Sequence, residues 1–91
     1  MYIISQNKKH IVLFNPENER FETRPIFNER DGSLKGVNLF CKDINIGTFP
    51  TLIEAIIEMQ DIRGNNQEYY KVRSYEQFCK SGLNKFINKF N

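Results

Sequence analysis

The chain has 91 residues, 40% of them hydrophobic, 26% charged and 13% aromatic, with a formal net charge of +2. That is enough for one small domain of residues 1–91, and too even a composition for an extended disordered segment. The charge excess is too small to announce a nucleic-acid or membrane partner. Asn, Lys and Ile are abundant, Ala occurs once and Trp is absent, as in proteins of AT-rich genomes.

Tyr2-Ile3-Ile4-Ser5 and His10-Ile11-Val12-Leu13-Phe14 are short β-type runs separated by Asn7-Lys8-Lys9, which predicts a hairpin. Asn15-Pro16-Glu17-Asn18-Glu19 stops the second strand. The stretch Asn15 to Arg20 is the only one that reads as an insertion. Phe21 to Asn28 forms the next strand, and Pro25 within it predicts an edge position or a bulge, because proline cannot donate to a ladder. Asp31-Gly32 marks a hairpin turn. Beyond it Val37, Leu39 and Cys41 alternate with Asn38, Phe40 and Lys42, so the first three share a face. A tight turn at Lys42-Asp43 leads to Ile44 and Ile46, and Gly47 is read as the end of the sheet region.

Thr51 and Glu54 form a capping box that opens a helix over 51–63. Leu52, Ala55, Ile56, Met59 and Ile62 make its apolar stripe, which Ile53 and Ile57 widen. Arg63 falls in the last turn and Gly64 reads as the C′ residue that ends the helix. A short strand is predicted over 68–72. A second capping box at Ser74 and Gln77 opens a C-terminal helix over 75–90, with Gly82 as a point where it divides. The predicted class is α+β: an antiparallel sheet of four to five strands within residues 2–49, a central helix, and a C-terminal helix packed on one face.

The reactive inventory is sparse. His10 is the only histidine, set beside Lys8 and Lys9, and reads as a surface residue. Cys41 and Cys79 are 38 positions apart, and with one histidine they form no metal-ligand set of usual spacing. Both thiols are read as reduced and the protein as cytoplasmic. No apolar run approaches the ~20 residues of a membrane helix. The glycines form no phosphate-binding loop. No cofactor and no catalytic residue is expected.

Two surfaces stand out. Tyr69, Lys71 and Arg73 interleave aromatics with cations, and with Lys85 and Lys89 they are the candidate contacts for nucleic acid. Strand alternation puts Tyr69 and Lys71 on one side and Tyr70 and Val72 on the other, so half of these aromatics belong to the core. Leu83, Phe86, Ile87 and Phe90 recur at i, i+3, i+4 and i+7, with Lys80, Lys85 and Lys89 off the stripe. That stripe packs on the sheet, meets a partner or lies on a membrane surface. Together with the surplus Ile53 and Ile57 it gives the candidate partner or homodimer contact. Glu17, Glu19, Glu22, Glu29 and Asp31 offer a phosphate-mimicking set, interrupted by Arg20, Arg24 and Arg30.

The segment Ile44-Asn-Ile-Gly-Thr-Phe-Pro-Thr-Leu-Ile-Glu-Ala55, through Ile46-Gly47, Phe49, Thr51 and Ala55, resembles small prophage and mobile-element proteins of low-GC Gram-positive bacteria. The opening Tyr2-Ile-Ile-Ser-Gln-Asn-Lys-Lys9 is similar to the start of those proteins. The resemblance covers about half the chain and implies a phage or mobile-element origin and a cytoplasmic setting. The reading that follows is a non-enzymatic protein-binding module, with homodimerisation as a further expectation, able to block a host factor such as a CRISPR effector or another defence nuclease. The alternatives are a nucleic-acid-binding accessory protein and a small-ligand-binding sponge.

Overall fold

The structure, a computed structural model, describes residues 1–74. Six strands and one helix follow in the order β1 (Tyr2–Ile4), β2 (Ile11–Leu13), β3 (Phe21–Phe27), β4 (Leu34–Cys41), β5 (Ile44–Phe49), α1 (Leu52–Arg63) and β6 (Tyr69–Lys71). The class is α+β.

The expected single sheet of four to five strands is instead two sheets of three, ordered β2-β1-β6 and β3-β4-β5. β1 is the central strand of the first sheet, with one edge paired antiparallel to β2 and the other paired parallel to β6. Parallel pairing joins strands far apart in sequence, and local alternation carries no sign of it. The predicted C-terminal helix over 75–90 lies outside the described residues.

Within each sheet the local chemistry acts as read. Lys42 and Asp43 adopt φ of 53° and 62°, the two left-handed positions of a tight hairpin turn. Gly32 takes a φ of 72° in the β3–β4 loop, where Asp31 Oδ1 accepts from the Ser33 amide at 2.9 Å and from its hydroxyl at 2.6 Å. Strand β3 is an edge strand, as Pro25 requires, and its register with β4 also shifts between Ile26 and Phe27. Gly47 does not end the sheet region. Strand β5 runs through it to Phe49, and the register with β4 slips between Leu39 and Phe40, leaving Ile46 as the extra residue of a bulge.

The inner faces of both sheets and one side of α1 enclose a common core of Ile3, Val12, Phe14, Val37, Leu39, Cys41, Ile46, Phe49, Ala55, Ile62 and Val72. Val37, Leu39 and Cys41 point inward together, as the alternation predicts. Burying each large apolar side chain contributes about 1.5–3 kcal/mol. Gly47 sits where the two sheets meet. A Cβ there would lie 3.0 Å from Val72 Cγ1 and 3.2 Å from the Phe49 ring.

The helix is capped as the sequence predicts. The Glu54 amide donates to Thr51 Oγ1 at 3.4 Å, and the Thr51 amide donates to Glu54 Oε2 at 3.1 Å. The face it buries is different. Glu54, Ala55, Glu58 and Ile62 point inward, whereas Leu52, Ile53 and Ile56 are exposed. The helix is rolled by somewhat less than the ~100° that separates successive residues, so a carboxylate side faces the core. Gly64 stands at the C-cap with φ −83°, in the right-handed region, and its special freedom is unused.

The segment that reads as an insertion is stitched down. Arg63, in the last turn of α1, donates to the carbonyls of Pro16 at 3.1 Å and Glu19 at 3.2 Å. Its guanidinium lies over the stacked rings of Phe14 and Phe21.

Candidate interaction surface

The described residues hold one strongly organised polar cluster and two apolar surfaces. The cluster explains the roll of the helix. Glu58 is completely buried. Its Oε1 accepts from the Tyr70 hydroxyl at 2.5 Å and the Arg73 amide at 3.4 Å, and its Oε2 accepts from Arg73 Nε at 3.0 Å. Arg73 also forms an ion pair with Asp61. A buried carboxylate without partners would cost several kcal/mol, and here its lone pairs are filled. Burial, and then the hydrogen bond to Glu58, push the Tyr70 hydroxyl well above its ordinary pKa. The cluster ties α1 to the end of β6. Glu58, Tyr70, Arg73 and Asp61 hold one another through these bonds, so the cluster reads as a structural latch.

The cluster also corrects the reading of Arg73. Proposed as a nucleic-acid contact, its guanidinium is committed to Glu58 and Asp61. Tyr69 and Lys71 do point outward, and Tyr70 points inward, as alternation predicts. Lys85 and Lys89 lie outside the described residues, as do Leu83, Phe86, Ile87, Phe90 and Cys79. The acids offered as phosphate mimics are partly spent on local contacts. Glu19 pairs with Lys42 at 2.7 Å, Glu22 with Arg24 at 2.8 Å, and Asp31 with Ser33.

The first apolar surface is the outer face of the β2-β1-β6 sheet. The register sets Leu13, Tyr2 and Tyr69 in one row and Ile11, Ile4 and Lys71 in the next. Tyr2 and Tyr69 stack with ring centroids 5.4 Å apart. Ile11 is 64% exposed and Leu13 54%. Sequence reading identified these strands but not their common face, because a parallel partner at β6 completes it.

The second surface lies at one end of the β3-β4-β5 sheet. Phe27 pairs with Leu34 where β3 ends and β4 begins, and Phe49 of β5 stands beside Val37 in the same region. The first turn of α1 follows directly from Phe49. Phe27 and Leu34 at this end, and Leu52, Ile53 and Ile56 on α1, are all exposed. Ile53 is 62% exposed, and Ile57 is half-buried. Of the two helix residues proposed as contacts, Ile53 is the one presented.

His10 lines an open groove of about 500 Å³ with Asn7, Phe40, Asp43, Asn45 and Thr48. The thiol of Cys41 is not among the lining groups. It is buried in the core, and burial raises its pKa. Among the described residues no cluster of three or more His, Cys, Asp or Glu side chains is arranged to hold a metal ion. No helix among them is long and apolar enough to cross a membrane.

Comparison with known proteins finds no matching family model, no matching curated protein and no matching solved structure.

Proposed function

We propose that this protein is a non-enzymatic protein-binding module that meets its partner through the apolar end formed by Phe27, Leu34, Leu52, Ile53 and Ile56. The observation that carries this reading is the exposure of those five apolar side chains, two at the β3–β4 end and three on α1. Exposed apolar side chains of this kind, with Phe27 sharing a groove with Glu29, Arg30 and Lys35, are characteristic of interaction sites. The setting implied by the prophage resemblance makes a host factor, such as a CRISPR effector or another defence nuclease, the partner class to test. Homodimerisation through the same end is part of this reading, with a cytoplasmic location.

The test is binding by the full chain against Ile53→Asp and Phe27→Asp variants. Both positions are exposed, so both variants retain the wild-type circular dichroism spectrum. A partner, or a second copy detected by light scattering, that binds wild type and is lost at least tenfold with either variant supports the proposal. Equal binding by all three proteins, or a monomer of 10.8 kDa that retains no partner, sinks it. Salt-dependent binding to single-stranded nucleic acid, unaffected by Ile53→Asp, would favour the nucleic-acid alternative through Tyr69 and Lys71. A metabolite that raises the melting temperature would favour the ligand-binding alternative at the His10 groove.

A further inference from the structure

Among the described residues the two sheets end on four edge strands, β2, β6, β3 and β5. An open edge is a template for another chain, and folded proteins guard such edges with proline, charge or a cover. Three of these four are guarded. Strand β3 carries Pro25 and the exposed pair Glu22 and Arg24. Gln6 covers β5, bonding the Ile46 carbonyl and both backbone groups of Thr48. Strand β6 carries Lys71, and its Tyr69 carbonyl accepts from Asn65 Nδ2 at 3.3 Å.

Strand β2 has none of these guards. The Ser5 amide donates to the His10 carbonyl at 2.9 Å and the Phe14 amide to the Met1 carbonyl at 2.8 Å. Bonded pairs alternate along an antiparallel ladder, so Val12 spends its backbone groups on Ile3, while Ile11 and Leu13 aim theirs away from β1. Neither residue has a backbone partner on that side among the described residues. Both side chains are more than half exposed, and neither is charged.

We infer that a second copy of this chain pairs with this edge, β2 against β2 and antiparallel, about a twofold axis at Val12. That register sets Ile11 opposite the partner's Leu13, and Leu13 opposite the partner's Ile11, as bonded pairs exchanging both N–H···O=C bonds. Opposite residues of a ladder share a face, so apolar meets apolar on the outer side. The outer row of Leu13, Tyr2 and Tyr69 then continues across the axis. An axis at Ile11 would set Leu13 against Lys9, and an axis at Leu13 would set Ile11 against Asn15, so the chain's own pattern selects Val12. Charge selects the same arrangement. Lys8 and Lys9 precede β2 and Glu17 follows it, and none of the three forms an ion pair among the described residues. Antiparallel pairing brings the lysine end of each copy to the glutamate end of the other, whereas parallel pairing sets lysine beside lysine. The edge is short, so the contact belongs to the weak, concentration-dependent class of interfaces.

Sedimentation velocity of the full chain, from about 10 μM to about 1 mM, is the test. The mass of wild type should rise from 10.8 kDa toward twice that value. Ile11→Lys sets a charge opposite the partner's Leu13, and Leu13→Pro removes an outward N–H from each copy without touching the bonds to β1. Each should weaken association at least tenfold while amide exchange shows Ile3 and Val12 still protected. The register is read by oxidation in a Cys79→Ser background, where a mixture of Ile11→Cys and Leu13→Cys chains should link at least tenfold faster than either variant alone. A wild type that stays monomeric throughout overturns the inference, as does association that both β2 variants retain, or equal linking rates in the mixture and the single variants. Association that Ile53→Asp abolishes and Ile11→Lys retains overturns it in favour of the apolar end. The inference goes beyond the protein-binding proposal: no partner protein is present in this experiment, so the two fail separately.

Discussion

At the scale of single residues, the position that decides most is Glu58. Its carboxylate accepts from the half-buried Tyr70 hydroxyl and from the Arg73 guanidinium. Glu58→Ala leaves both without it and is expected to cost about 3–5 kcal/mol. That is a large share of the stability of a domain this size, about 5–10 kcal/mol. Tyr70→Phe removes one hydrogen bond while Arg73 still serves the carboxylate, and is expected to cost about 1 kcal/mol. Urea denaturation of the two variants checks the order. A Glu58→Ala cost no greater than that of Tyr70→Phe would contradict the latch. The same residue sets an alkaline limit. The Tyr70 pKa is raised in the folded state from its ordinary 10.0, so the unfolded chain releases this proton more readily. The stabilisation is therefore complete below about pH 10 and declines as the pH rises past it. Stability measured between pH 8 and 11 should fall more steeply for wild type than for Tyr70→Phe. At the β4–β5 turn, Asp43 carries a φ of 62° and its own side chain is exposed, with a long 3.5 Å contact to Arg24. Asp43→Gly relieves the left-handed strain and is expected to stabilise by about 0.5 kcal/mol, read as a higher urea midpoint.

At the scale of elements, α1 shows how a local signal and a tertiary demand divide the work. The capping box fixes where the helix starts, and Thr51→Ala is expected to cost about 1 kcal/mol by thermal melting. The box has no influence on which side of the helix faces inward. That is settled by Glu58 reaching Tyr70 and Arg73, which roll Leu52, Ile53 and Ile56 out to solvent. The seven apolar positions of the helix were legible in the sequence as surplus to a core-facing stripe. Which of them is surplus was not, because a glutamate at a helical core position reads as solvent-facing until its tyrosine and arginine partners are in view. Gly47 is the complementary case. Read as a strand end, it is instead the point of closest approach between β5 and Val72. Gly47→Ala is expected to cost about 1–3 kcal/mol by overpacking, with the capping box intact. A variant as stable as wild type would show that the two sheets separate there without cost.

At the scale of the whole molecule, Gln6 joins the two sheets. Its amide donates to the Ile46 carbonyl at 2.8 Å, its Nε2 to Thr48 and Arg73 carbonyls, and its Oε1 accepts from the Thr48 amide at 3.0 Å. The side chain imitates a stretch of backbone between β5 and the end of β6. Gln6→Ala leaves these strand ends without a common partner. It should speed amide exchange at Thr48 and Val72 while leaving Leu39 protected, which hydrogen-exchange mass spectrometry can resolve.

The sequence by itself determined the hairpins, the edge strand at Pro25, the turn at Lys42-Asp43, the cap at Thr51 and the inward alternation of Val37, Leu39 and Cys41. Each of these rests on neighbours within a few positions, where sterics and hydrogen-bond chemistry act locally. The tertiary structure alone decided that β6 lies parallel to β1, that the strands divide into two sheets, and that Arg73 belongs to Glu58. Those outcomes join residues up to 67 positions apart, and only chain closure, with the need to satisfy every buried polar group, selects among the pairings that local pattern permits.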